Sequence, residues 1–430
     1  MTTTSKTDLL RAMGRWSLVA LVINSIIGSG VFGLPSVVAG ILGPASPLAY
    51  LPAALGMGII MACFAEVASR FRQAGGPYLY ARVAFGRLAG IEVAWVTWLA
   101  RLTAAAANVN LFVIYLAEFW PAAKSPWPRL AVLTLLVGVL TFINYRGVRA
   151  GARQSNLFAA AKLVPLLLFI AVGLFFIHRG NFSIHSAAPA GTWLEAVLLL
   201  VFAFGGFEGA VIPMSEAKDP KRDAPFALFT ALAAVTLVYF LVQVVVTGVL
   251  PDASASDRPL AAAAHLFVGP AGAAFITFGA LISVYGLLSS MMLYTPRLTF
   301  ALAEQGDFPV PFAWVHPRFR TPYISIVAFG VLVWGLAVVG SFKLNVTLSA
   351  VARLFTYGAT CAALVVFRRK QPEKAALRLP AGPIFASLGI LFCLALITRM
   401  GIGEFWIVLA TGVVGLGNWL WAKGRAQRGG

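Results

Sequence analysis

Four ionisable residues stand inside otherwise apolar stretches of the 430-residue chain: Arg101, Lys162, Glu208 and Arg353. A charge at the centre of a membrane helix costs about 2.5–3.5 kcal/mol on insertion scales, so such residues are paired or functional. Glycine clusters interrupt two of the same stretches. Gly28-Ser29-Gly30-Val31-Phe32-Gly33-Leu34-Pro35 lies in the first apolar run and Phe204-Gly205-Gly206-Phe207-Glu208 in the sixth. Glycine weakens a helix and lets other backbone approach closely. Taken singly, either cluster reads better as packing surface, since small residues are frequent between membrane helices.

A break inside a membrane must be satisfied by protein, water or ligand. It frees N–H groups at the start of one half-helix and carbonyls at the end of the other. A zwitterion suits that polarity. A carboxylate would sit near Ser29, Gly30 and Val31, and an ammonium near the carbonyls of Ile26 and Ile27 and those around Phe202, Ala203 and Gly205. The device reads α-amino acids as a class and leaves the side chain open.

The elements that must carry these groups are set by hydropathy. Hydrophobic residues make up 60% of the chain and charged ones 11%, with a mean hydropathy of +0.86. Runs of about 20 apolar residues, enough to cross a hydrocarbon core, recur near 16–40, 46–68, 88–116, 127–145, 156–177, 192–214, 226–250, 271–294, 323–340, 344–367, 380–398 and 403–421. An all-α polytopic membrane protein of 12 transmembrane helices is expected. The first run is too long for a signal peptide and lacks a small-residue cleavage site, so it should remain as helix 1.

The net charge of +18 could mark a nucleic-acid binder. Placement decides otherwise: with a cytoplasmic N-terminus, 24 of the 33 Lys and Arg residues fall in inner loops and tails. That is the positive-inside bias, and it puts both termini in the cytoplasm of a bacterial-type inner membrane, with the lipid bilayer as partner and no nucleic acid. Cys63, Cys361 and Cys393 fall inside spans without metal-like spacing, so buried free thiols are expected, with no metal, cofactor or disulfide.

Loops are short throughout, and the whole chain reads as one transmembrane domain. If helices 1–5 and 6–10 form oppositely oriented repeats, both interruptions fall on the first helix of each, the best sequence pointer to a transporter's midplane site.

At this point the residues carry a family resemblance. Asn24-Ser25-Ile26-Ile27-Gly28-Ser29-Gly30-Val31-Phe32, Phe204-Gly205-Gly206-Phe207-Glu208 and Glu216-Ala217-Lys218-Asp219-Pro220-Lys221-Arg222 resemble the amino acid–polyamine–organocation permeases. So do Glu66-Val67-Ala68-Ser69-Arg70-Phe71 running into Gly75-Gly76-Pro77-Tyr78, and Arg297 with Glu304-Gln305-Gly306-Asp307-Phe308-Pro309 after helix 8. The resemblance implies a five-plus-five inverted repeat of the leucine-transporter type: residues 16–177 as the first repeat, 192–367 as the second, and 380–421 as two appended helices. It implies carboxylate contacts at Ser29 and Gly30, and ammonium contacts at the carbonyls of Ile26, Phe202 and Gly205. Phe202 matches an aromatic gate, with core packing as the competing role. Within the family the chain also resembles the arginine/agmatine antiporter, whose helix 3 aligns without gaps from Trp98 to Pro121.

The residues alone leave Lys162 open between snorkelling and a site role. The resemblance implies the latter: several sodium-independent relatives carry a helix-5 lysine where sodium-coupled members hold an ion. Its ammonium is then expected to bridge the helix 1 carbonyls and helix 8 near Ser289 or Ser290. Glu208 is expected to tie helix 6 to Arg101 or Arg353, and to be a candidate proton carrier. Arg101 lies about 21 Å along its helix from Arg87, at the antiporter position near the substrate side chain, and a cation there disfavours cationic cargo. Asn108 and Asn110 are expected to bond between helices, while Tyr285 and Met291 either line the pocket or pack.

The leading expectation is a secondary carrier of neutral amino acids, sodium-independent and proton-coupled or exchanging. A polyamine or cationic amino acid antiporter is the alternative, weakened by Arg101. An enzyme would need clustered nucleophiles and bases, but His178, His185, His265 and His316 are scattered over loops. A channel fits poorly, because filters repeat motifs across subunits.

Overall fold

The computed structural model describes residues 14–71, 75–147, 152–183, 188–211, 220–371, 375 and 377–428. The Glu216–Asp219 part of the motif after helix 6, His185, and both chain ends (1–13 and 429–430) lie outside the described residues. Every regular element among the described residues is helical. In chain order the α-helices are α1 (Arg15–Ile26), α2 (Gly30–Leu42), α3 (Tyr50–Ala68), α4 (Gly76–Phe85), α5 (Arg87–Leu116), α6 (Pro126–Arg146), α7 (Ala152–Gly173) and α8 (Ala190–Phe204). They continue with α9 (Phe207–Val211), α10 (Pro220–Val249), α11 (Pro259–Val268), α12 (Pro270–Glu304), α13 (Tyr323–Val339), α14 (Phe342–Lys370), α15 (Gly382–Ile397) and α16 (Ile402–Arg428).

Among the described residues, seven stretches are long and apolar enough to cross a membrane by themselves, and six shorter apolar helices accompany them. This is a multi-pass membrane protein. Large apolar side chains face outward where a soluble protein would place charge, among them Trp127, Phe175 and Val339, each at least 80% exposed. The most apolar part of α5 is 78% buried, against 17% for α6 and α16. Thus α5 stands at the centre, packed against α14, while α6 and α16 ride on the periphery.

Two short helices depart from the expected pattern. The ten-residue α4 and α11 are too short to span and were not anticipated from runs of about 20 apolar residues. One consequence is that His265 sits in α11 and not in a loop. Helix α12 runs on to Glu304, past the expected end at 294, and carries Pro296 within it. Arg297 and Glu304 therefore belong to the helix, and the loop begins at Gln305. Cys63, Cys361 and Cys393 are buried free thiols that meet where α3, α14 and α15 pack.

Candidate functional site

Both glycine clusters break their helices. Helix α1 ends at Ile26, Ile27 turns extended, and Ser29 starts α2, its carbonyl accepting from the N–H groups of Phe32 and Gly33 at 3.1 and 3.0 Å. Helix α8 ends at Phe204, Gly205 is extended, and Gly206 adopts φ +109°, a conformation that disfavours any side chain. The breaks touch. A Cβ on Gly206 would run into the Ser25 carbonyl oxygen, and one on Gly30 would lie 2.9 Å from the Ala203 Cα. Gly205 leaves room for the Arg353 guanidinium, and Gly28 for Leu287. These glycines permit two backbones to cross where either side chain would part them.

The backbone groups freed at the breaks are met by side chains of opposite charge. At the first break, the Lys162 ammonium from α7 donates to the carbonyls of Asn24 (2.6 Å) and Ile27 (2.8 Å). The expected bridge to α12 is not made: Ser290 donates to its own helix at Gly286 and is exposed, and neither it nor Ser289 bonds Lys162. Two carbonyls, that of Ile27 buried and that of Asn24 partly so, already saturate much of the ammonium. At the second break, Glu208 accepts from the Gly206 N–H at 2.6 Å, caps α9, and takes the Tyr357 hydroxyl at 2.9 Å. Of its two candidate partners the carboxylate pairs with Arg353. Arg101 stays within electrostatic reach of Glu208 but stacks on the Tyr294 ring, 5.0 Å from its centroid.

The expected carboxylate side remains available. The Ser29 hydroxyl is buried and has no hydrogen-bond partner. On the ammonium side the carbonyls are partly engaged: Tyr239 of α10 places its hydroxyl 3.2 Å from both the Ile26 and Ala203 oxygens, and Phe202 accepts from Gly205 N–H. Val31 and Phe202, at the crossing, are buried, as is Met291 of α12. Asn110 reaches across to Arg129 of α6 at 3.0 Å, as expected. Asn108 does not bond between helices; its amide donates to Ala104 within α5, one turn back, where a short side chain finds the nearest carbonyl.

Exposure differs on the two sides of the crossing. Towards α2 and α8 the residues from Val197 to Phe204 and from Val31 to Pro35 are buried. In the other direction Gly209, Ser290 and Tyr294 are exposed. Leu287, Ser290 and Tyr294 share one face of α12 by spacing, and Leu287 abuts Gly28, so this open face leads to the break.

Sequence reasoning missed two further polar clusters. Asp307, fully buried, binds Arg82 and Arg87, while Glu66, also fully buried, binds Arg70, Arg368 and the Leu379 N–H. Burial, with the Asp307 carboxylate beside it, holds the Tyr78 phenol above its ordinary pKa. These arginines register in a charge count only as loop cations. Gln243 and Tyr239, one turn apart on α10, were missed too; Gln243 ties Pro35, Ser46 and Tyr50 together.

Fold and site thus define a helical membrane protein with a polar crossing of two broken helices at its core. The sequence profile of the amino acid permease family matches residues 13–416, and the chain belongs to that family. It is 29% identical to a branched-chain amino acid permease of Bacillus subtilis, over 96% of this chain and 93% of that protein. A methylthioribose transporter of the same species is 31% identical over 90% and 88%. Mouse cationic amino acid transporter 4 is 27% identical over 89% of this chain and 63% of its own length. Family and relatives are transporters, not enzymes.

Proposed function

We propose that the chain is a sodium-independent secondary carrier of neutral amino acids, working by alternating access with proton coupling or exchange. The observation that carries this reading is the crossing itself: two broken helices in contact, with the buried Ser29 hydroxyl unpartnered at the donor end. A substrate α-carboxylate fits Ser29, Gly30 and Val31, and an α-ammonium fits the carbonyls around Ile26 and Phe202 to Gly205. Lys162 takes the carbonyls a coupling sodium would use. Glu208 is the candidate proton carrier.

Twelve crossings follow if α1 with α2 and α8 with α9 each count as one broken span and α4 and α11 do not cross. Residues 16–177 and 192–367 then form the two inverted repeats, with 380–421 appended. Both termini face the cytoplasm of a bacterial-type inner membrane, and the open side of the crossing is cytoplasmic. The branched-chain relative supports neutral cargo. The methylthioribose relative shows that kinship within the family does not by itself guarantee an amino acid, so the α-amino and α-carboxyl groups must be tested directly.

The test is radiolabelled uptake into proteoliposomes, with and without sodium and a pH gradient. Saturable uptake of neutral amino acids, unaffected by sodium and not competed by agmatine, is the expected result. Agmatine competition would favour the cationic alternative; uptake of no amino acid would overturn the reading.

A further inference from the structure

The charges around the second break do not balance. Glu208 is engaged by Arg353, by Tyr357 and by the Gly206 N–H. That pair is neutral as a unit. Arg101 therefore brings a further positive charge with no counter-charge of its own. Among the described residues it makes no hydrogen bond or ion pair; its Nε is buried and unpartnered, and Tyr294 supplies only a ring face. Nor does Lys162, held by backbone carbonyls, supply an anion.

Arginine keeps its charge in any protein environment and offers five donors in a fork that fits a planar or spherical anion. Interior charges are paired, with a protein group or with a ligand. The α-amino and α-carboxyl groups of a cargo cancel each other, so a neutral amino acid leaves Arg101 as bare as before. The position is also reachable. Tyr294 lies on the exposed face of α12 that leads to Gly28, and Glu208 is near enough to feel the Arg101 charge.

We propose that Arg101 is an anion-binding residue of the cargo site: when occupied, the site holds a second anionic group, beyond the α-carboxylate, against the Arg101 guanidinium. The α-carboxylate part rests on the carrier reading above; the anion at Arg101 does not. Two sources share this chemistry: a side-chain carboxylate on the cargo, which would make the cargo acidic in place of neutral, or a free monovalent anion such as chloride entering beside a neutral cargo.

The test uses the full chain, purified in detergent and reconstituted. Thermal unfolding is followed in gluconate, with chloride, aspartate or asparagine added, for the wild type, Arg101→Gln and Arg101→Lys. Chloride should raise the wild-type Tm by several degrees and leave Arg101→Gln unmoved, while aspartate should lose in Arg101→Gln any advantage it has over asparagine. Aspartate acting at tenfold lower concentration than asparagine, with no chloride effect, identifies a cargo carboxylate. Neutral uptake that falls severalfold in gluconate and returns with chloride identifies the free anion. If Arg101→Gln does not fold, Arg101→Lys decides, because losing the fork while keeping the charge should weaken the anion at least threefold. No Tm shift with either anion, or equal shifts in wild type and variants, overturns the proposal. An anion shift that requires Arg101 while no amino acid is taken up overturns the carrier reading alone.

Discussion

The two breaks solve the same problem with opposite charges. At the first, a cation from another helix, Lys162, closes the carbonyl end, while the N–H end stays open beneath an unpartnered Ser29 hydroxyl. At the second, an anion from the helix itself, Glu208, closes the N–H end and is in turn fixed by Arg353 and Tyr357. The donor end is left for a ligand at one break and occupied at the other. That difference gives the crossing a direction: carboxylates are expected at α2, and ammonium groups towards α8.

Several substitutions would break or sharpen this contrast. The largest effect is expected for Glu208→Ala, which leaves Arg353 unpaired and the Gly206 N–H unmet; losing one partner of a buried pair costs about 3–5 kcal/mol. Thermal unfolding should show it, and Glu208→Gln separates the roles. A pH profile of uptake identical to wild type in Glu208→Gln would leave the carboxylate purely structural.

Gly206→Ala comes next. Its Cβ meets the Ser25 carbonyl at a φ that costs a side chain about 1–3 kcal/mol before any overlap is counted. Uptake should fall to background, with a lowered Tm. Lys162→Ala leaves the buried Ile27 carbonyl and the partly buried Asn24 carbonyl without their donor, at about 1–3 kcal/mol, and should reduce transport roughly tenfold to a hundredfold. Restoration by sodium would show that the ammonium stands in for an ion. Unchanged sodium-independent uptake would end that idea.

The smallest change is Ser29→Ala. Because the hydroxyl has no partner, Tm should hold while the KM for amino acids rises about threefold to tenfold, the worth of one ordinary hydrogen bond. A matching fall in Tm would mean that the hydroxyl serves the fold and not the cargo.

Much of this was legible in the residues. Glycine clusters in apolar runs read as breaks once they fall on the first helix of each half, and both breaks lie where the clusters placed them. The placing of Lys162 at the helix 1 carbonyls came from the family resemblance, since the residues alone left it open between snorkelling and a site role. What was not legible depended on register between distant helices. Nothing local tells whether Glu208 meets Arg101 or Arg353, since that choice is set by how α5 and α14 pack around α9. Helices α4 and α11 were hidden for another reason: at ten residues each, they leave no run of spanning length. Tyr239 looked like one more aromatic in an apolar run; only the structure shows its hydroxyl shared between carbonyls of two broken helices.

The three cysteines, buried between α3, α14 and α15, have a practical corollary. A thiol reacts as thiolate at an accessible surface, so the native set is silent to polar maleimides while the helices stay packed. Reporter cysteines placed along the exposed face of α12 can then be labelled in the unaltered background, and slow labelling of the native thiols becomes a clock for opening of the bundle.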